Sequence, residues 1–132
     1  HAVANSFIAA MKRLHIDFSI THPKGYELDP LITGNTPIEY DQDKALAGAA
    51  VVYVKNWSSF KDYGKVMCED PSWTITSEKI GNAQCMHCLP VRRNVVIADA
   101  VLDSDKSLVL AQANNRTYAA QWVLKALLET TS

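Results

Sequence analysis

Long apolar runs, an excess of either charge and paired cysteines are all missing from this sequence of 132 residues. The longest apolar stretch, residues 45–54, is interrupted by Gly48 and falls well short of the roughly 20 residues of a membrane-spanning helix. The 13 basic side chains nearly balance the 14 acidic ones, and a net charge of -1 creates no field that attracts nucleic acid or an anionic membrane. We therefore expect neither as a partner.

Cysteine is scarce and odd in number, with Cys68, Cys85 and Cys88 as the whole set. A chain of this length can bury a core and does not need disulfides, so three cysteines favour reduced thiols. No charged and then apolar leader opens the sequence. Together these features predict a cytoplasmic protein.

Strand and helix signals alternate along the chain without repeats or a linker. The apolar runs 49–54 and 84–89 predict strands of a parallel sheet, the first of them central and covered on both faces. Helical spacing predicts helices at 2–14 and 114–129. Weaker signals predict two further strands and two further helices, at 18–21, 107–111, 37–48 and 75–82. This order predicts one α/β domain over residues 1–132, with a Rossmann-like parallel sheet and helices on both faces.

The closing helix carries an apolar stripe. Residues at helical spacing share one face of a helix, and such a face is usually buried. We therefore predict that the stripe belongs to the core, with Tyr118, Trp122, Val123, Ala126 and Leu127 as its members.

Reactive side chains follow the predicted strands, whose carboxyl ends meet at one rim of a parallel sheet. Lys55 follows the first central strand, and His87 and Cys88 end the next, with Arg92 and Arg93 just beyond. Guanidinium groups favour carboxylates and phosphates. The residues alone therefore predict a pocket for a small anionic metabolite.

The segment 85–88, Cys-Met-His-Cys, also fits a redox or metal pattern. A structural zinc site generally draws its four ligands from two clusters, and the sequence has no second pair. A thioredoxin-like motif opens a helix, whereas Pro90 follows here almost at once. We expect no metal and no cofactor, and we predict that Cys85 and Cys68 pack as small apolar residues.

One part of the sequence resembles the transcarbamylase family, and it consists of Met86-His87-Cys88-Leu89-Pro90-Val91-Arg92-Arg93-Asn94 followed later by Asn114-Asn115-Arg116. His-Cys-Leu-Pro at a strand end is the ornithine-side signature of that family. Val-Arg-Arg-Asn is similar to the branch that acts on N-acetylornithine or N-succinylornithine. Segments 22–29 and 53–57 are similar to the same branch, so the resemblance spans nearly the whole chain.

The resemblance implies the amino-acid-binding domain of an enzyme of arginine biosynthesis. The side-chain amine of an N-acylated ornithine would attack the carbonyl carbon of carbamoyl phosphate, giving an N-acylcitrulline and phosphate without a cofactor. Such a site must hold an unprotonated amine against the carbon and stabilise charge on the carbonyl oxygen and the leaving phosphate. The family also implies a homotrimer with active sites shared between subunits.

The catalytic residues implied by the resemblance are Cys88 and Arg116. Cys88 and the backbone carbonyl of Leu89 would contact the carbamoyl group and the incoming amine, while Arg116 would support the carbonyl oxygen. The bond between Leu89 and Pro90 is implied to be cis, which a peptide bond before proline permits at low cost.

The substrate-binding residues implied by the resemblance are mostly basic. Arg92 and Lys55 would pair with the amino-acid carboxylate or with the acyl group, and Arg93 would lie close by. His87 would line the same site, although a histidine inside an apolar strand end is also typical of a hydrogen-bonded structural residue.

Two departures from the family narrow the substrate. Enzymes for free ornithine carry an Asp and a Ser-Met-Gly loop where this chain has Lys55-Asn56-Trp57, so free ornithine is not the expected substrate. Acetylornithine enzymes have a lysine where this chain has Val96, which favours N-succinylornithine.

The phosphate-binding half of the family, with its Ser-Thr-Arg-Thr and His-Pro motifs, is not in this sequence, nor is the strand before the first helix. We therefore expect a carboxyl-terminal domain that is inactive alone, with its last helix, about 114–130, packed toward the carbamoyl phosphate domain. His1 is assigned no role. The alternative is a non-catalytic α/β module that binds a small carboxylate.

Overall fold

The computed structural model of the chain describes residues 2–59, 61–62, 68 and 70–130. The segment 58–73 is polar and aromatic with little periodicity, which predicts a functional loop, and part of it lies outside the described residues, as does His1. None of the helices formed by the described residues is both long and apolar enough to cross a membrane. The helices and strands, in chain order with one 3-10 turn at Pro71–Trp73, are α1 (Ala2–Arg13), α2 (Pro30–Thr33), α3 (Gln42–Leu46), β1 (Val51–Val54), α4 (Ser77–Ile80), β2 (Gln84–His87), α5 (Asp99–Leu102) and α6 (Val109–Thr130).

Strands β1 and β2 form a parallel pair, in which Val54 lies opposite His87. The β-branched residues of β1 favour an extended strand. Ser107 extends the sheet beyond β2 through a single parallel bridge to Cys85. The two strands therefore end at the same edge, and the predicted parallel α/β arrangement is confirmed.

The two faces of β1 meet different helices, because successive side chains of a strand point to opposite sides. Tyr53 stacks on Phe7 of α1 with ring centroids 4.2 Å apart, and its hydroxyl accepts a hydrogen bond of 3.3 Å from Gln112 of α6. The opposite face packs into a buried cluster with α3, α4, α5 and the loop before α5, made of Leu46, Val52, Val54, Ile75, Ile80, Ala83, Cys85, Val96, Ile97 and Val101. Helices thus cover both faces of the sheet, as predicted.

The helix predicted at 37–48 is shorter than expected, and so is the strand predicted at 18–21. Asp41 is the N-cap of α3, since its carboxylate accepts a hydrogen bond of 3.2 Å from the backbone N–H of Lys44. Upstream of this cap, Ile38 forms a parallel bridge with Ile20. Residues 37–40 are therefore not helical, and Ile38 among them is bridged to Ile20.

The helix predicted at 75–82 is reduced to α4. Thr76 caps it by accepting a hydrogen bond from the backbone N–H of Lys79, and Gly81 follows its end with φ 53°. Ile75 pairs instead with Ile97 in a parallel bridge. This bridge joins the start of α4 to the loop that follows β2.

The strand predicted at 107–111 is wrong. Only Ser107 bridges the sheet, and α6 begins at Val109. The backbone N–H of Gln112 donates to the carbonyl of Leu108 at 2.8 Å, which is the helical pattern. A short apolar run does not distinguish strand from helix, and α6 begins at Val109, five residues before the predicted start at residue 114.

The prediction that the apolar stripe of α6 belongs to the core is also wrong for this chain. Tyr118, Trp122, Val123 and Leu127 are 63%, 71%, 51% and 61% exposed. Only Val109, in the first turn, is buried. Helical spacing shows that these residues share one face of α6, but it does not show which segment packs against that face.

Candidate functional site

The adjacent ends of β1 and β2 bring Lys55 and Cys88 together. The register that pairs Val54 with His87 places the next residue of each strand side by side. The Nζ atom of Lys55 lies 3.9 Å from the Sγ atom of Cys88, and both residues are half-buried. Two residues predicted for one site, 33 positions apart in the chain, therefore meet at the rim of the sheet.

Asn56 holds the loop that follows β2. Its Nδ2 donates to the carbonyl of Pro90 at 2.8 Å, and its Oδ1 accepts from the backbone N–H of Arg92 at 3.3 Å. One amide thus spans Val91 and fixes the backbone on both sides of it. Sequence reasoning did not assign this role to Asn56, although its position directly after a strand end was a usable signal.

The turn after β2 has the geometry implied by the sequence, since the peptide bond between Leu89 and Pro90 is cis. The backbone N–H of Leu89 donates to Nδ1 of His87 at 2.9 Å. His87 therefore fixes the start of the turn.

His87 is only 1% exposed. Because Nδ1 accepts a hydrogen bond, the proton of the neutral ring is on Nε2, and this buried atom has no partner within the described residues. Burial, followed by the charge of Lys55, lowers the pKa of His87 below its ordinary value. The ring is thus kept neutral beside the cation.

The two adjacent arginines of the loop have different surroundings. The guanidinium of Arg93 is paired with Asp99 at 2.5 Å and with Asp103 at 2.5 Å. Arg92 is exposed, and its guanidinium forms no hydrogen bond or ion pair with the part of the chain that the structure describes. Arg92 is therefore available to a ligand, whereas Arg93 is engaged by two carboxylates.

Arg116 lies on α6, one helical turn beyond Gln112. Residues four apart share a helix face, and Gln112 is hydrogen-bonded to the hydroxyl of Tyr53. The pKa of Tyr53 is raised by burial and by the neighbouring thiol of Cys88, while the hydrogen bond from Gln112 opposes the rise. Arg116 itself is exposed, and among the described residues no hydrogen bond or ion pair joins it to Lys55 or Cys88. Gln112, one turn earlier, is the residue of α6 that contacts the sheet on the side of Cys88.

Cys85 packs as predicted and has no place at the rim. It is 0% exposed, and burial raises the pKa of its thiol to about 11. Cys68 is half-buried, and all three cysteines are free. The described residues contain no group of three or more His, Cys, Asp or Glu side chains arranged to hold a metal ion.

The sequence is similar to one protein family and to several of its characterised members. Residues 1–130 match the model of the aspartate/ornithine carbamoyltransferase Asp/Orn binding domain. The chain is 47% identical to N-succinylornithine carbamoyltransferase of Bacteroides fragilis, with 97% of this chain and 42% of that protein aligned. It is 32% identical to N-acetylornithine carbamoyltransferase of Xylella fastidiosa, over 96% of this chain and 44% of that protein. The chain thus spans less than half the length of these relatives.

Solved structures show the same fold. One neighbour is acetylornithine transcarbamylase complexed with acetylcitrulline, with a TM-score of 0.79, 30% identity and 94% of this chain and 43% of that chain covered. Another is a mutant N-acetyl-L-ornithine transcarbamylase complexed with carbamyl phosphate and N-succinyl-L-norvaline, with a TM-score of 0.82, 30% identity and coverage of 94% and 44%.

Proposed function

The chain belongs to the aspartate/ornithine carbamoyltransferase family, and we propose that its full protein transfers the carbamoyl group of carbamoyl phosphate to the side-chain amine of an N-acylated ornithine. N-succinylornithine is the preferred acceptor, and the products are N-succinylcitrulline and phosphate. In this proposal residues 1–132 form the ornithine-binding domain. The observation that carries it is the meeting of Lys55, Cys88 and the cis Leu89–Pro90 turn at one sheet edge.

The proposed catalytic groups are Cys88, the carbonyl of Leu89 and Arg116. The carbonyl of Leu89 accepts hydrogen bonds from the incoming amine, and the thiol of Cys88 contacts the amine and the carbamoyl nitrogen. As the amine attacks, negative charge builds on the carbamoyl oxygen, where the guanidinium of Arg116 stabilises it. The new C–N bond forms as the C–O bond to phosphate breaks, phosphate leaves with the electrons of that bond, and the proton that the amine nitrogen loses passes to the departing phosphate.

The proposed acceptor site has cations for two carboxylates. The guanidinium of Arg92, which has no partner in the described part of the chain, can bind a carboxylate through two parallel hydrogen bonds, and Lys55 supplies a second positive charge at the rim. N-succinylornithine carries a carboxylate on its amino-acid end and another on its succinyl group, whereas N-acetylornithine carries one. His87 and Pro90 shape the turn beside these groups, and Arg93 supports it.

Val96 also supports the succinyl acceptor. It is 1% exposed and packs into the core cluster, at the position where the resemblance to acetylornithine enzymes calls for lysine. A lysine ammonium is costly to bury without a partner. The higher identity to N-succinylornithine carbamoyltransferase, 47% against 32%, agrees with this choice.

We also propose that the full protein is a cytoplasmic homotrimer of arginine biosynthesis without a cofactor. The free thiols of Cys68, Cys85 and Cys88 suit a reducing compartment. The exposed apolar stripe of α6 suits a helix that packs against the carbamoyl phosphate domain outside this chain. Analytical ultracentrifugation of the full protein tests the trimer.

An acceptor panel tests the proposed reaction. The full protein is assayed with carbamoyl phosphate and N-succinylornithine, N-acetylornithine or ornithine, and each citrulline product is quantified by mass spectrometry. We expect the highest kcat/KM for N-succinylornithine and the lowest for ornithine. A folded protein that binds N-succinylornithine by calorimetry and forms no product would instead support the non-catalytic carboxylate-binding module.

A further inference from the structure

Arg93 joins the two ends of α5. Its guanidinium bonds to Asp99 in the first turn of this helix and to Asp103 just after the last, through both terminal nitrogens in the second case, at 2.5 and 3.1 Å. Two carboxylates and three hydrogen bonds leave Arg93 little freedom to turn toward a ligand.

The neighbouring residue makes a second connection to the same helix. The Nδ2 of Asn94 donates to Asp99 at 2.7 Å, and the backbone N–H of Asp99 donates back to Oδ1 of Asn94 at 2.9 Å. The backbone N–H of Asn94 also donates to the carbonyl of Ile97 at 2.7 Å. Because Ile97 is fully buried, the loop is tied to the core as well as to α5.

The backbone of Arg92 is held on both sides, by Asn56 and by the loop that follows it. Its backbone N–H is bound by the side chain of Asn56, and its carbonyl accepts from the N–H groups of Val95 and Val96. Both backbone polar groups of Arg92 are therefore fixed, while its guanidinium has no partner among the residues that the structure describes. The bonds of Arg93 and Asn94 to α5 therefore fix the position of the Arg92 backbone, from which its side chain extends.

We propose that Arg93 is a positioning residue for the acceptor site: it locks the loop 90–98 onto α5 so that Arg92 meets the acceptor carboxylate, and it does not bind the substrate itself. This inference rests on the proposed function. Its physical basis is that small displacements of a group that binds and orients a substrate carry large kinetic costs.

Kinetics of the full protein test the proposal with variants on both sides of the ion pairs. Arg93→Ala removes the guanidinium, and Asp99→Asn combined with Asp103→Asn removes its charged partners with little change in shape. The matched control is Lys44→Ala, which breaks the exposed pair of Lys44 with Asp41 on α3.

We expect both the arginine variant and the double aspartate variant to raise the KM for N-succinylornithine by about tenfold, with the KM for carbamoyl phosphate unchanged. Combining all three substitutions should add little, since they remove one set of bonds. Arg93→Lys, which keeps the charge and loses the two-nitrogen geometry, should restore part of the affinity. The Lys44 control should match the wild type.

Different failures have different meanings. If Arg93→Ala raises this KM and the double aspartate variant does not, Arg93 is a direct substrate ligand and the proposal is wrong. If both variants lower only the melting temperature, the ion pairs are merely structural and it is also wrong. If Arg93→Ala does not fold, the double aspartate variant decides alone, while an inactive wild-type protein would reject the proposed function instead.

Discussion

The ammonium of Lys55 lies 3.9 Å from the thiol sulfur of Cys88, although the two residues follow different strands and are 33 positions apart in the chain. The parallel register of β1 and β2 creates this contact, because it aligns the residues that follow Val54 and His87. The thiol therefore has both the ammonium of Lys55 and the hydroxyl of Tyr53 as neighbours. The pair is the centre of the proposed acceptor site.

A double-mutant cycle tests whether this pair acts as a unit. We expect Lys55→Ala and Cys88→Ala each to lower kcat/KM for N-succinylornithine by about tenfold or more in the full protein. The combined variant should lose less than the product of the two effects, because the two side chains contact each other and each single substitution already removes that contact. Fully multiplicative losses would show that Lys55 and Cys88 act independently.

Thiol labelling separates Cys88 from Cys85. At pH 8 a thiol with a pKa of about 11 is ionised in roughly one molecule in a thousand, and Cys85 has this pKa and no exposure. Iodoacetamide should therefore modify Cys88 and Cys68 in the native full protein and leave Cys85 intact, as mass spectrometry of peptides would show.

Ligands sharpen the labelling experiment. Carbamoyl phosphate together with N-succinyl-L-norvaline should protect Cys88 and leave the rate at Cys68 unchanged, so Cys68 is the internal control. Rapid native modification of Cys85, or equal rates at Cys88 with and without ligands, would contradict the assigned positions.

The neutral state of His87 predicts a pH dependence of stability. Burial lowers the pKa of His87 in the folded protein, whereas the unfolded chain titrates near the ordinary value of 6.5. The stability that the neutral ring contributes to the fold is therefore fully present above pH 6.5. It is lost as the pH falls toward the pKa of the folded state, because the unfolded state then binds more protons. The free energy of unfolding is measured with urea between pH 5 and 8, a range that spans the ordinary pKa of histidine. As the pH falls, His87→Gln should lose less of this free energy than the wild type.

The control for this titration is His15→Gln, since His15 is exposed at the end of α1. It should leave the slope of stability against pH as in the wild type. An unchanged slope in His87→Gln would mean that the ring is not held neutral in the fold.

The exposed stripe of α6 predicts unequal costs of two substitutions. In this chain alone Trp122→Ala should change the free energy of unfolding by less than about 0.5 kcal/mol, because the side chain is 71% exposed. Val101→Ala should cost about 1–3 kcal/mol, since Val101 is 1% exposed in the core cluster. In the full protein Trp122→Ala should become costly, and equal small effects in both contexts would contradict the proposed packing of α6.

The sequence predicted the parts of the fold whose signals are local. The β-branched run became β1, the helical spacing near the start became α1, and the proline after Leu89 agreed with the cis bond. The predicted convergence of Lys55 and Cys88 followed from one topological rule, that parallel strands end at the same edge.

The packing and ion-pair partners of a side chain are harder to predict when they lie far away in the sequence. Nothing in the spacing of the stripe on α6 says which segment covers it, so the spacing predicts a core position for Trp122, whereas this side chain is 71% exposed. Arg93 was grouped with Arg92 because both follow the same motif, and only the fold brings Asp99 and Asp103 to its guanidinium. The spacing of the two aspartates, one helical turn apart, was the signal that could have separated the arginines.

A crystal structure of the full protein with carbamoyl phosphate and N-succinyl-L-norvaline tests the shared site most directly. We expect Cys88 and the Leu89 carbonyl to contact the reacting end of the ligands, Arg116 to contact the carbamoyl oxygen, and Arg92 to lie within about 3 Å of a ligand carboxylate. A structure in which Cys88, Arg92 and Arg116 face separate surfaces, with the ligands bound elsewhere, would contradict this expectation.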